Sequence, residues 1–137
     1  MKKEHSSNEK SSRLILGGHA KGKIIFCPEG LSFWGGVDPN TGIIIDVHHP
    51  NHGDCISGKC LLMPTSRGSC SGSGVLLELI LNQLGPTALI FREPEQILTL
   101  GAIVSDLIFD IQIPVIYLSA KDYEKTSLAE SIELKNH

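Results

Sequence analysis

The order of apolar and polar residues divides the chain into a turn-rich first half and a second half in which short buried strands alternate with buried helices. "KCLLMP", "TALIF" and "IPVIYL" are continuous apolar runs, the pattern of strands covered on both faces. Two longer apolar segments separate them. Val75 to Leu84 is apolar except at Glu78, Asn82 and Gln83, and Glu78 and Asn82, four apart, mark a thin polar stripe on a largely buried helix. Gly85-Pro86 is expected to end that helix with a cap and a residue that cannot continue it. "PEQILTLGAIVSDLIF" predicts a second helix with Pro94 near its first turn. The order is therefore βαβαβ, and crossovers of this length favour parallel strands with right-handed connections.

Earlier in the chain, "RLILGGHAKGKIIF", Arg13 to Phe26, sets two β-prone runs around a Gly-rich turn and predicts a hairpin. Turn chemistry then dominates, at Gly35-Gly36 and at Asp38-Pro39-Asn40-Thr41-Gly42, with one β-branched run at Ile43 to Ile45. The closing segment from residue 119 to 137 has weak helical periodicity and is expected to be a peripheral helix or tail. Residues 1–12 read as a disordered tail, which leaves 13–118 as one α/β domain with a β-rich first half and a βαβαβ second half.

Length and composition agree with one core: 137 residues, 41% hydrophobic and 20% charged, are ordinary for one globular domain and too few for two. A formal net charge of -3 and the lack of a basic, aromatic-interleaved run argue against nucleic acid as a partner. "MKKEHSSNEKSS" has no apolar stretch behind its positive start, so neither a signal peptide nor a membrane anchor is expected, and the expected location is cytoplasmic. Four cysteines, at 27, 55, 60 and 70, match neither a paired zinc spacing nor a ferredoxin-type spacing and read as free thiols.

The unusual stretch lies between the first buried strand and the first buried helix. Arg67 to Gly74, "RGSCSGSG", is bare and polar and abuts the most hydrophobic helix of the chain. If the helix starts near Ser71 to Ser73, those hydroxyls can cap its first amides, while the remaining N–H groups and the helix dipole face an anion. Glycine lets a carboxylate or phosphate approach the backbone, and Arg67 can add a bidentate clamp. A plain strand-to-helix loop with a good cap explains the same residues. The stretch is not a Walker loop, a dinucleotide fingerprint or a nucleophile elbow, and after residue 74 the only histidine is His137.

Three further groups carry candidate chemistry. His48, His49 and His52, with Asp46 and Asp54, have ligand-type side chains, but Pro50-Asn51 makes the segment a turn, where histidines are more often ordinary than ligating. Trp34 beside Gly35-Gly36 reads as an aromatic core anchor at a tight turn, or else as a second wall of a site. Arg92, Glu93 and Glu95 follow a buried strand and read as a solvated charge cluster capping the next helix, with a ligand-gathering strand end as the alternative.

Taken in order, "LSFWGGVDPNTGIIID", "HPNHG", "SRGSCSGSGVLLELI" and "FREPEQILTLGAIV" resemble the small subunit, or swivel domain, of the aconitase X family over residues 13 to 118. That resemblance implies a swivelling β/β/α domain of a hydro-lyase, closing over a small carboxylate substrate. It also implies a large aconitase X subunit as partner and an iron or iron–sulfur centre held there, none being bound by this chain alone. Ser69 matches the family's proposed catalytic base, while Gly68, Ser71, Gly72 and Ser73, with Arg67, match the substrate-binding surround. Gly35, Gly36, Val37 and Asp38 match a second loop facing the same cleft. Ser66 stands where the family usually has glycine, and Cys70 where serine or threonine is common. Two activities are known in such proteins, dehydration of cis-3-hydroxy-L-proline and of mevalonate 5-phosphate, and the "SGSGVLLE" and "REPEQILTLGAIV" segments look more like the hydroxyproline type. A stand-alone anion-binding or assembly module with no chemistry of its own is the third reading. An isolated copy would be able to self-associate through the surface meant for its partner.

Overall fold

The computed structural model describes residues 11–135. Nine elements follow in order: β1 (Arg13–Leu16), β2 (Ala20–Phe26), β3 (Cys60–Met63), α1 (Gly72–Leu81), β4 (Ala88–Phe91), α2 (Ile97–Phe109), β5 (Val115–Tyr117), α3 (Ala120–Ser127) and β6 (Ser131–Leu134). The strands form one six-stranded sheet in the order β1-β5-β4-β3-β2-β6. Its four inner strands are parallel, and its two edges, β1 against β5 and β6 against β2, are antiparallel.

The βαβαβ unit is present as the apolar runs predict. β3 and β4 are buried at every position. Their side chains alternate between two cores because successive strand residues point to opposite faces. Leu61, Met63, Leu89 and Phe91 face one side, where α1, α2 and the residue 27–59 connection supply Leu76, Leu79, Leu98, Leu31, Phe33, Ile44 and Ile56. Cys60, Leu62, Ala88 and Ile90 face the other, where Tyr123 of α3 covers them. Each fully buried Leu, Ile, Met or Phe side chain among them contributes about 1.5–3 kcal/mol of transfer free energy.

Four expectations are corrected. Arg13–Phe26 is not a hairpin: β1 and β2 lie apart, with β5, β4 and β3 between them. β2 divides its pairing, Ala20–Lys23 with β6 and Ile24–Phe26 with β3. Its apolar end is claimed by the core, and its Lys-bearing start lies toward the edge.

α1 ends at Leu81 rather than at Leu84, and the residue that turns left-handed is Gln83 (φ 63), not Gly85. The segment 119–137 holds α3 but also β6, whose alternating exposure marks a half-covered edge strand that helical periodicity hides. The tail expected over residues 1–12 lies outside the described residues as far as residue 10. Ser12 is held, donating to Asp122 at 2.6 Å and accepting from the Ser119 amide at 2.8 Å. The Ser12 hydroxyl, together with the Ser119 hydroxyl, lowers the Asp122 carboxyl below its usual range. Among the described residues no helix is long and apolar enough to cross a membrane.

Candidate functional site

Because β2, β3 and β4 are adjacent and parallel, the segments leaving their carboxyl ends emerge on one side of the sheet, where open α/β sheets gather ligands. β2 is followed by Gly30 to Asp38, β3 by Pro64 to Ser71 and β4 by Arg92 to Gln96. Both loops singled out in the sequence thus start from neighbouring strands.

They also touch. The Arg67 amide donates to the Leu31 carbonyl at 3.3 Å. Gly30 leaves room for the arginine stem, since a Cβ there would sit 2.8 Å from Arg67 Cγ and 2.6 Å from the Thr65 carbonyl oxygen. Gly68 adopts φ +93, a left-handed conformation, and packs so closely on Ser32 that a Cβ would collide with its hydroxyl. Gly72, at the start of α1, is buried against Phe33 and Ile97.

Arg67, Gly68, Ser69, Cys70 and Ser71 are all exposed. Among the described residues the side chains of Arg67 and Ser69 take part in no hydrogen bond or ion pair, and the amides of Gly68 to Ser71 donate to no acceptor. The amides of α1 itself are engaged. Gly72 donates to Ser69 at 3.1 Å, Ser73 to Cys70 at 3.2 Å, and Gly74 and Val75 to the Ser71 carbonyl.

No hydroxyl caps the helix. Ser71 is in the right-handed helical region without a side-chain cap bond, and the Ser73 hydroxyl donates to the Cys70 carbonyl at 2.8 Å. The electropositive feature expected at the helix terminus therefore lies one turn earlier. It consists of successive amides around a left-handed glycine, followed by the helix dipole and preceded by an arginine.

The second loop is divided. Gly35 is exposed with φ +79, and Gly36 is buried, its carbonyl accepting from Ile45. Val37 is a core residue, 1% exposed. Asp38 closes the following turn, its carbonyl accepting from Thr41 and Gly42 and its carboxylate from Asn40 at 2.9 Å. Trp34 is not a core anchor: it is 63% exposed at the rim, and Phe33, 1% exposed, fills the core instead.

The histidines do not converge. His49 is buried, donating from Nε2 to the Glu29 carbonyl at 3.1 Å and accepting on Nδ1 from the Asn51 amide at 3.0 Å, while His48 and His52 are exposed. Among the described residues no three His, Cys, Asp or Glu side chains group as metal ligands. The cysteines are scattered as well. Cys27 and Cys60 are buried, and burial raises both thiols, Cys27 to about 12 with Asp54 adding to the effect; Cys70 is exposed. These residues do not fit an iron centre.

Glu95 departs furthest from its sequence reading. It does cap a helix, but as a buried carboxylate, 3% exposed, and not as part of a solvated cluster. It accepts from the Leu98 amide at 2.8 Å, from the Thr99 amide at 2.9 Å, from the Thr99 hydroxyl at 3.0 Å and from the Ser66 hydroxyl. Arg92 and Glu93 remain a surface pair at 3.1 Å. Sequence reasoning missed Ser32 and Tyr117, and marked Ser66 only as a departure from the family's glycine. The only signal was an acidic residue two positions ahead of an apolar helix, which marks a cap without naming its partner in another loop.

Comparison with known proteins follows the same lines. A sequence profile described as the aconitase X swivel domain matches residues 9–137. The chain is 48% identical over 109 residues to the cis-3-hydroxy-L-proline dehydratase of Pseudomonas aeruginosa, covering 80% of this chain and 19% of that protein. It is 42% identical over 99 residues to the phosphomevalonate dehydratase small subunit of Methanothermobacter thermautotrophicus, covering 72% and 76%. The crystal structure of Thermococcus kodakaraensis aconitase X (holo-form) superposes with a TM-score of 0.75 at 37% identity, covering 91% of this chain and 88% of that one. The chain therefore spans about one fifth of the hydroxyproline enzyme and most of the small subunit.

Proposed function

The chain belongs to the aconitase X swivel-domain family, and from that premise we propose that it is the small subunit of a heteromeric hydro-lyase that dehydrates cis-3-hydroxy-L-proline. The observation that carries this reading is the exposed Arg67–Ser71 loop. Among the described residues the amides of Gly68 to Ser71 and the Arg67 guanidinium have no internal partner, and the loop lies against the Gly30–Gly36 loop at the carboxyl ends of adjacent strands.

In this reading Arg67 and the loop amides hold the substrate carboxylate. Ser69 acts as the base. A neutral hydroxyl is too weak for this, so the reacting form is the alkoxide, favoured by the amides and the guanidinium around it. It takes the proton from the carbon bearing the carboxylate. That C–H electron pair becomes the new carbon–carbon double bond, and the hydroxyl on the neighbouring ring carbon departs. Trp34 and Gly35, exposed at the rim, form the second wall.

The iron or iron–sulfur centre is assigned to a large subunit. A partner of that kind is supported by α2, whose outward positions Leu100, Leu107 and Ile108 are 51%, 76% and 69% exposed, an apolar face unusual on a chain without a neighbour.

A second reading has its own support. The relatives that match this chain in length are named phosphomevalonate dehydratase small subunits, and the same amide loop with Arg67 would grip a phosphate. Identity favours the first reading, at 48% and 50% for two hydroxyproline dehydratases against 42% and 45% for the Methanothermobacter and Thermococcus kodakarensis small subunits.

The test is to co-express the chain with its large subunit and assay both substrates. Turnover of hydroxyproline, lost by about 10²–10⁴-fold in Ser69→Ala, is expected. Full activity in that variant removes the base, and turnover of mevalonate 5-phosphate alone selects the second reading.

A further inference from the structure

Beneath the exposed loop lies a buried polar junction that the reaction itself does not use. The two Glu95 carboxylate oxygens receive four donors. Oε1 takes the Thr99 amide and hydroxyl, and Oε2 takes the Leu98 amide and the Ser66 hydroxyl. Three of these belong to α2 and are sufficient to cap it. The fourth comes from the loop that follows β3.

Neighbouring bonds join the same two loops. The Pro64 carbonyl accepts from the Arg92 and Glu93 amides at 3.1 and 3.0 Å, and the Thr65 hydroxyl donates to the Pro94 carbonyl at 3.3 Å. Glu95 is itself held from below. Tyr117 Oη accepts from its amide at 2.7 Å and donates to its carbonyl at 2.9 Å, while the Tyr117 ring packs edge-on against Phe91 at 6.3 Å. A carboxylate 3% exposed and fixed through both backbone and side chain is a rigid acceptor, and hydrogen bonds to a charged acceptor in a dry site are the strong ones.

We propose that Glu95 is a positioning residue of the site, acting through the Ser66 hydroxyl to fix the Arg67–Ser69 segment in its working conformation. This deepens the hydro-lyase reading and rests on it for its catalytic consequence. Because the family usually has glycine where Ser66 stands, the latch is a feature of this chain, and it bears on Gly68. A left-handed glycine next to the proposed base is the loop's most permissive point, so its geometry depends on anchors at both sides. On one side the Ser69 carbonyl is tied to the Gly72 amide. On the other are the Arg67 amide on Leu31 and, one residue earlier, Ser66 on Glu95.

The experiment compares wild type, Ser66→Ala, Ser66→Thr and Glu95→Gln. In the complex with the large subunit, Ser66→Ala is expected to lower kcat about tenfold with KM within about twofold, since the loop is misplaced more than binding is lost. Ser66→Thr, which keeps the hydroxyl, restores kcat. In the free chain, 15N relaxation at Gly68 and Ser69 should give order parameters of about 0.8 in wild type, falling below about 0.6 in Ser66→Ala, with the melting temperature lower by a few degrees and the order parameters of the sheet unchanged.

Glu95→Gln keeps the shape and should behave like Ser66→Ala, with some helix stability lost. Unchanged order parameters with wild-type kcat in Ser66→Ala overturn the latch and leave the hydro-lyase reading intact. A wild-type complex that turns over neither substrate overturns that reading, and the relaxation data still decide the latch.

Discussion

Two loops of this protein invite opposite readings from composition and reverse them in three dimensions. Residues 46–54 hold three histidines and two aspartates, side chains suited to ligands and catalysis, whereas residues 66–72 offer little beyond serine and glycine. Yet the rich loop uses most of its chemistry internally, with His48 and His52 left in solvent. Both ring nitrogens of His49 are bonded to backbone, Asp46 accepts from the His48 amide at 2.9 Å, and Asn51 donates to the Phe26 carbonyl at 3.0 Å and to Asp54 at 3.2 Å. Among the described residues the poor loop leaves the amides of Gly68 to Ser71 and the side chains of Arg67 and Ser69 unspent. A site is made by groups without an internal partner, and polar residue types alone do not show which those are.

The sharpest way to break this contrast is Gly68→Ala. A methyl group would force a left-handed φ on an ordinary residue and meet Ser32, at a cost of about 1–3 kcal/mol. A displacement of that size beside the base should lower kcat about 10²-fold. Steady-state assay of the complex checks it, and wild-type activity would mean that the bare loop is not shaped for chemistry.

Next in size is His49→Ala, which leaves the Glu29 carbonyl and Asn51 amide without their partners and should cost about 1–3 kcal/mol in urea unfolding. His48→Ala and His52→Ala, exposed on the same loop, should each stay within about 0.5 kcal/mol. Equal effects at all three positions would erase the distinction between a structural and a solvated histidine.

A smaller effect appears at alkaline pH. Burial raises Cys27 from 9.0 and Tyr123 from 10.0, each to about 12. Between those values the unfolded groups lose protons that the folded ones keep. Stability is therefore full below about pH 9 and falls as pH rises, by at most about 1.4 kcal/mol per unit for each group. Urea midpoints at pH 8 and pH 10 should show the decline, and Cys27→Ala should flatten it.

Much of the architecture is legible in the order of residues alone. The runs at Cys60–Met63, Ala88–Phe91 and Val115–Tyr117 are strands because continuous apolar residues need cover on both faces, and the two helices between them follow from the same requirement. The edges were not legible. β1 and β2 have the local pattern of a hairpin, and only competition for the place beside β3 separates them; β6 alternates too weakly to stand out from a tail. Trp34 and Phe33 are adjacent aromatics in the sequence, and their one-residue offset decides which enters the core.

By itself the sequence determined the βαβαβ order, the turn at Asp38–Gly42 and the exposed loop between β3 and α1, because periodicity, turn propensity and glycine act over a few residues. Tertiary structure alone decided that Ser32 meets Gly68, that Ser66 reaches Glu95 and that His49 faces inward. Those pairings join residues from different strand ends. Which buried polar group finds a partner depends on how the whole sheet brings its loops together, and no local pattern carries that information.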